Sequence, residues 1–164
     1  MVEVRECRLE DMGGVCNIEK RCFRFPYPCE VLVILRTLYP ELFLVAEDRG
    51  RVVGYVSAVI RRDGTGHVVS ICVDPDYRGR GIGKALMNEI LKKLRESGVC
   101  RVRLEVRVSN EVARRLYERL GFKVVDRIDN YYPDGEDALV MVKDLCGEES
   151  KQCRGVDTAV GEVR

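Results

Sequence analysis

The chain opens on alternation: Met1-Val2-Glu3-Val4-Arg5-Glu6 sets apolar against charged residues in the period of a half-buried strand, and not in the manner of a signal peptide. Over residues 11–22 the period lengthens. Met12, Val15, Cys16 and Ile18 recur at helical spacing, and a second short helix is expected over 30–38, after Pro26 and Pro28 have interrupted the chain. Residues 42–47 and 52–60 are β-rich and joined by the hairpin signal Asp48-Arg49-Gly50, while Asp63-Gly64-Thr65-Gly66 turns the chain into a further strand over 67–73. Ala85, Leu86, Ile90, Leu91 and Leu94 trace one face of a helix over 84–97 that Gly98 stops. Residues 101–108 alternate strictly, with Val102, Leu104, Val106 and Val108 on one face and Arg101, Arg103, Glu105 and Arg107 on the other. Ser109 or Asn110 can cap the next helix, which carries Val112, Ala113, Leu116, Tyr117 and Leu120 and ends at Gly121. Residues 122–128 and 138–142 are the last strands, around a loop over 129–137. The order β-α-α-β-β-β-α-β-α-β-β predicts an α+β fold: a mixed, mainly antiparallel sheet with helices on both faces.

At 164 residues, with 46% hydrophobic and 34% charged positions, the chain fits one domain with a proper core, over residues 1–146. The polar stretch 147–164 lacks periodicity and reads as a tail that frays or docks on a neighbour. Lys and Arg number 28 against 27 Asp and Glu, so neither nucleic acid nor a membrane surface is expected as the main partner. No apolar run reaches the length of a membrane span, and a cytoplasmic location is expected. The eight cysteines include no C-x-x-C pair, which leaves a zinc framework without support; no metal is expected. Cys72 and Cys100, within strand-like runs, read as small buried hydrophobes. The alternative is a bridge involving Cys16, Cys22, Cys29 or the Cys146/Cys153 pair, since intracellular disulfides do occur in hyperthermophiles.

Candidate chemistry begins at Arg78-Gly79-Arg80-Gly81-Ile82-Gly83-Lys84, between a strand and a helix. Glycines there let backbone N–H groups converge on phosphate oxygens while the helix N-terminus adds its positive end. The spacing is neither G-x-x-x-x-G-K-[ST] nor G-x-G-x-x-G. It is R-x-x-G-x-G, and it resembles the acetyl-CoA pyrophosphate loop of the GNAT acetyltransferases.

Further motifs follow in the order of that family: Gly66-His67-Val68-Val69-Ser70-Ile71, Leu104-Glu105-Val106-Arg107-Val108-Ser109-Asn110, Leu116-Tyr117-Glu118-Arg119-Leu120-Gly121-Phe122, and Tyr131-Tyr132-Pro133-Asp134-Gly135-Glu136-Asp137-Ala138. The resemblance runs from about residue 2 to residue 145 and is strongest to archaeal and eukaryotic amino-terminal acetyltransferases, with RimI as a near relative. It implies acetyl-CoA as cosubstrate, with the backbone of Ile71, Cys72 and Val73 pairing with the pantetheine arm between splayed strands. It also implies that Asn110 contacts that arm and that the Tyr117 hydroxyl lies near the sulfur. On periodicity alone Tyr117 is a core aromatic of an amphipathic helix.

Amide formation needs a neutral amine, a proton acceptor and a way for the thiolate to leave. At pH 7 roughly one seventh of an α-amine but only about one in 2,500 lysine side chains is neutral, so a chain terminus needs only a modest base. His67, the sole histidine, and Glu105 are the two candidates; they are expected to share proton removal through ordered water, with Tyr117 as acid to the thiolate. The plain alternatives are a structural histidine and a carboxylate paired with Arg103 or Arg107. Archaeal and eukaryotic relatives commonly carry a glutamate between the first two helices, where this chain has Phe25 or Pro26. Phe25-Pro26-Tyr27-Pro28 resembles the family's peptide-binding loop and Tyr131-Tyr132 the opposing clamp, against core or interface packing as the alternative. The resulting expectation is acetylation of protein or nascent-chain amino termini of Ser, Ala or Met type, with the ribosome or an auxiliary subunit as further partners. A transferase acting on lysine or a small amine, and a non-catalytic acetyl-CoA-binding subunit, are the competing readings.

Overall fold

The computed structural model describes residues 1–147, so the tail from residue 148 onward, with Cys153, lies outside the described residues. The described residues form two compact units: Met1–Val59 with Val68–Ser97, and Ile60–His67 with the described residues from Gly98 onward.

In the first unit, β1 (Val2–Glu6) pairs antiparallel with β2 (Phe43–Asp48), and β2 with β3 (Arg51–Ile60). The β2–β3 turn is the expected hairpin, with Arg49 and Gly50 both in the left-handed region at φ 52° and 81°, whose twist suits the right-handed twist of the strands. Beside β3 runs β4 (Gly66–Val73), whose first two residues belong to the second unit. Helices α1 (Met12–Cys22), α2 (Cys29–Leu38) and α3 (Ile82–Glu96) complete the first unit. Its core gathers Val15, Ile18 and Leu32 from helices with Phe43, Val45 and Tyr55 from strands, and the rings of Phe43 and Tyr55 stack with centroids 5.4 Å apart. The buried face of α3 is Ile82, Leu86, Met87, Ile90, Leu91 and Leu94. Ala85, expected on that face, is exposed and Met87 takes its place, because a 3.6-residue period carries 82, 86, 90 and 94 past position 85. Gly54 lies in β3 where a Cβ would stand 3.1 Å from both the Cys72 carbonyl oxygen and Leu86 Cδ1, so strand and helix approach more closely than any larger residue permits.

In the second unit the start of β4 pairs in parallel with β5 (Arg101–Arg107), Gly66 opposite Val102 and His67 opposite Arg103. Antiparallel pairing continues from β5 to β7 (Ala138–Asp144) and from β7 to β6 (Lys123–Ile128). Helix α4 (Glu111–Arg119) connects β5 to β6; of the two cap candidates Asn110 serves, its Oδ1 accepting from Ala113 N–H, while Ser109 N–H donates to Glu136. Val112, expected on the apolar stripe of α4, is exposed: 113, 116, 117 and 120 make the i, i+3, i+4, i+7 set and 112 precedes it. The element order and the mostly antiparallel α+β architecture are as the hydrophobic pattern predicts.

The alternative of bridges at Cys16, Cys22 and Cys29 is the one the structure bears out, and Cys72, Cys100 and Cys146 depart from expectation. Cys72 and Cys100 are not free hydrophobes but half-cystines, in Cys22–Cys72 and Cys100–Cys146, and the third bridge is Cys16–Cys29. Cys146 therefore pairs with Cys100, whereas a partner at Cys153 was the expected alternative; connectivity depends on which strands and helices become neighbours and is not written in the spacing. Cys7 is buried as a free thiol. Among the described residues no helix is long and apolar enough to cross a membrane.

Two glycines give opposite expectations. Gly54→Ala must push against β4 backbone and should cost about 1–3 kcal/mol, a Tm lower by several degrees. Gly13→Ala in α1, where a Cβ meets nothing within 4 Å, should raise stability by up to about 1 kcal/mol through helix propensity. Thermal melts of the two variants check both signs.

Candidate active site

The first unit carries the glycine loop and the segment 23–28. Gly79 and Gly81 sit at φ 79° and 78°, and a Cβ on either would meet nothing, so the backbone conformation alone demands glycine there. Gly81 is the N-cap of α3 and no side chain caps that end, so Ile82 and Gly83 lie within the first helical turn, two residues earlier than the predicted start at Lys84. First-turn N–H groups without a capping side chain, together with exposed Arg78, Arg80 and Lys84, suit a pyrophosphate. Arg78 Nε folds back on the Val73 carbonyl at 3.2 Å, and Arg80 lies over the Tyr77 ring, 4.7 Å from its centroid.

The base of the loop hangs on Asp74, a fully buried carboxylate that the sequence reading did not single out. Arg21 Nη1 reaches both its oxygens at 2.8 and 2.9 Å, Arg51 donates at 3.1 Å, and Asp76 N–H caps it at 3.0 Å. The Asp74-Pro75 pair was a legible turn-starting signal; the two arginines, 53 and 23 residues away, were not.

Of the predicted substrate loop, Phe25 is 40% exposed with the Arg24 guanidinium 5.2 Å from its ring centroid, Pro26 is exposed, and Tyr27 is half-buried against the core. Tyr27 N–H donates to Glu19 Oε2 at 2.9 Å. Glu19 is fully buried in α1, and its other oxygen accepts from the Tyr55 hydroxyl. With its one hydrogen so committed, the Tyr55 oxygen accepts from Ser70 O–H at 2.9 Å. Glu19 also went unnoticed in the sequence, although 12, 15, 16 and 19 form an i, i+3, i+4, i+7 set and a carboxylate on such a stripe is a signal in itself. Ile71, Cys72 and Val73 lie on β4, with Cys72 committed to its bridge.

The second unit carries the candidate bases, and it joins them directly. His67 Nε2 lies 2.6 Å from Glu105 Oε2, and Arg103 Nε donates to Oε1 at 2.9 Å. The parallel register explains this: His67 stands opposite Arg103, within reach of Glu105 two positions along the same face of β5. The two side chains are 9% and 7% exposed. Burial pushes the Glu105 carboxyl upward, but the bonds to His67 and Arg103 outweigh it and hold the group below the usual carboxylate range. An ionised Glu105 only accepts, so His67 Nε2 donates to it, and Nδ1 faces Arg61 Nη2 at 3.4 Å. Glu105 thus makes both the arginine pair and the histidine pair that sequence offered as alternatives.

Tyr117 is buried, and its hydroxyl makes no hydrogen bond among the described residues. Burial, then repulsion from Tyr132, raises its pKa above the ordinary tyrosine value. The turn after α4 fixes the ring: Gly121 at φ 95° lets Phe122 N–H return to the Tyr117 carbonyl at 3.0 Å, and the two rings meet edge to face at 6.0 Å. Tyr131 and Tyr132 also pack edge to face, 5.0 Å apart, with the Arg107 guanidinium 4.1 Å from the Tyr132 centroid. Burial pushes Tyr132 up to about 12, against Arg107 and with the help of the Glu105 charge. Glu105, Tyr132 and Tyr117 therefore share one electrostatic neighbourhood. Asn110, three residues beyond β5, is the α4 cap.

Comparison with known proteins agrees with this frame. Residues 12–122 match the model of the acetyltransferase (GNAT) family. An uncharacterised N-acetyltransferase of Methanocaldococcus jannaschii is 40% identical over 141 residues, covering 85% of this chain and 90% of the relative. An N-alpha-acetyltransferase of Sulfurisphaera tokodaii is 39% identical over 154 residues, covering 87% and 92%. The crystal structure of the ribosomal-protein-S18-alanine N-acetyltransferase from Escherichia coli superposes with a TM-score of 0.79 at 31% identity, over 90% of this chain and 97% of that one. A glycine loop running into an uncapped helix, and such similarity along nearly its whole described length, make this chain a member of the GNAT acetyltransferase family.

Proposed function

We propose that this protein acetylates the free α-amino group of polypeptide chains, with residues 1–146 as the catalytic domain and nascent or finished cytoplasmic proteins as substrates. The directly bonded, buried His67–Glu105 pair is the observation that carries the reaction; the likeness to an N-alpha-acetyltransferase and to an S18-alanine N-acetyltransferase supports the α-amine as acceptor. Acetyl-CoA supplies the activated acetyl thioester. Residues 78–84 hold its diphosphate through first-turn N–H groups and the charges of Arg78, Arg80 and Lys84. The β4 backbone at Ile71, Cys72 and Val73 pairs with the arm, and the side-chain Nδ2–H of Asn110, whose Oδ1 is spent on the cap, is a donor to it.

The amine attacks the acetyl carbon directly, in a complex holding both substrates. Its proton passes, through water, to the His67–Glu105 pair. Glu105 accepts from Nε2–H, and the carboxylate balances the charge that the pair gains with the proton. Two groups bonded at 2.6 Å titrate as a unit, so the base is the pair. Tyr117 supplies the departing thiolate with its proton; its hydroxyl is uncommitted among the described residues, and the raised pKa keeps the proton on it until the thiolate forms. Phe25, Pro26 and Tyr27 are peptide-binding on this reading, as are Tyr131 and Tyr132, and the apolar Phe25 suits Met or small first residues.

Peptides beginning Ser, Ala or Met, and blocked peptides carrying an internal lysine, incubated with acetyl-CoA, should gain acetyl on the α-amine only, as fragment masses read it. Lysine acetylation alone would turn the proposal toward a side-chain transferase. Cofactor binding without transfer would make the chain a non-catalytic subunit.

His67→Ala and Glu105→Gln should each lower kcat about 10²-fold or more with little change in acetyl-CoA KM. The double variant should lose scarcely more than the worse single one, since the two act as one base. Additive losses in the cycle would separate their roles.

An acid must keep its proton to donate it, and a pKa raised above the ordinary value of about 10 keeps Tyr117 protonated as pH climbs. kcat should therefore show no fall between pH 8 and 10, while Tyr117→Phe lowers it throughout. A falling limb in that window that vanishes in Tyr117→Phe would show Tyr117 titrating there and overturn the raised pKa; an unchanged kcat in Tyr117→Phe would remove Tyr117 as the acid.

A further inference from the structure

The exposed segment 23–28 is fastened at both ends and in its middle by groups that acetyl transfer does not use. Cys22, the last residue of α1, is bridged to Cys72 of β4, with Cα atoms 6.1 Å apart. Cys29, the first residue of α2, is bridged back across the two helices to Cys16, at 5.5 Å. Between them Tyr27 N–H is held by Glu19, which the Tyr55 and Ser70 hydroxyls fix in turn. What projects from this frame is Arg24, Phe25, Pro26 and Pro28, all exposed and outside helix and strand.

An irregular surface segment with an exposed aromatic ring loses conformational freedom when a ligand orders it, and that loss subtracts from affinity. A covalent tie at each end and a buried carboxylate on the central N–H remove most of that freedom before any ligand arrives. We propose that Glu19 and the Cys16–Cys29 bridge are positioning groups for the polypeptide acceptor, so that acceptor affinity depends on the oxidation state of this bridge while acetyl-CoA affinity does not. The inference rests on the reading of residues 23–28 as acceptor-binding. Cys29 is the exposed end of the bridge and Cys16 the buried one. A dithiol opens it by giving up two electrons and two protons, leaving thiols on Cys16 and Cys29 and closing to its own cyclic disulfide; an oxidised dithiol reverses the exchange.

The test uses the full chain, oxidised and then desalted. Alkylation without reductant should leave Cys16 and Cys29 unmodified; labelling of both would overturn the inference at once. In the Cys16→Ser/Cys29→Ser variant the KM for a Ser- or Met-initiated peptide should rise about five- to tenfold, with kcat and acetyl-CoA KM within twofold of wild type. Wild type under dithiothreitol should move in the same direction, which keeps the result available if the variant folds poorly. Glu19→Ala should also raise peptide KM, and Glu19→Gln, which keeps an oxygen for Tyr27 N–H, should restore most of it. Unchanged peptide KM in the serine variant, beside a raised one in Phe25→Ala, would overturn the inference and leave the loop assignment standing. Unchanged peptide KM in Phe25→Ala would remove that assignment and the inference with it. Equal rises in both substrate KM values would make the bridge a general stabiliser and overturn the inference.

Discussion

An acid side chain taken out of water needs cations and hydrogen-bond donors to replace the lost hydration, and both units are organised around acids partnered in that way. Asp11 is held by Arg5 and the Arg8 N–H, and those bonds, led by Arg5, keep its pKa below the usual range despite burial. Asp74 ties α1, the β2–β3 hairpin and the turn before the glycine loop together through Arg21, Arg51 and Asp76. Glu19 ties α1 to β3, β4 and the segment after the helix. In the second unit Glu105 ties β4 to β5 through His67. Asp74, Glu19 and Glu105 each fix a piece of backbone that carries candidate chemistry, so the loops need little regular structure of their own to be held.

This division explains what was legible beforehand. Apolar periodicity reports which face of an element is covered, and from it came the strands, the four helices and the mostly antiparallel order. It errs by one position where a stripe is read too wide, as at Ala85 and Val112. Buried polar links join residues distant in sequence, 36 positions for Glu19 and Tyr55 and 53 for Arg21 and Asp74, and no local period encodes them. Cysteine connectivity has the same character. His67, Glu105 and Tyr117 could be picked out through motif resemblance, but the bond between His67 and Glu105 depends on strand register, which the motifs do not state.

On the proposed reaction, the surroundings of Glu105 also bear on the choice of amine. Arg103 on one oxygen and the histidine on the other make this carboxylate a weaker base than an isolated buried one, since they offset the upward push of burial. A site built to strip a proton from lysine would gain from the opposite arrangement, a carboxylate left in apolar surroundings with its pKa raised. An α-amine, with an ordinary pKa about 2 to 3 units below that of lysine, is already neutral in a useful fraction of molecules near pH 7. It needs an acceptor for the proton released on bond formation more than a strong base beforehand. A hydrogen-bonded histidine–carboxylate pair, with the carboxylate to balance the charge of an arriving proton, meets that lesser demand; the same pair would leave nearly every lysine protonated and unreactive.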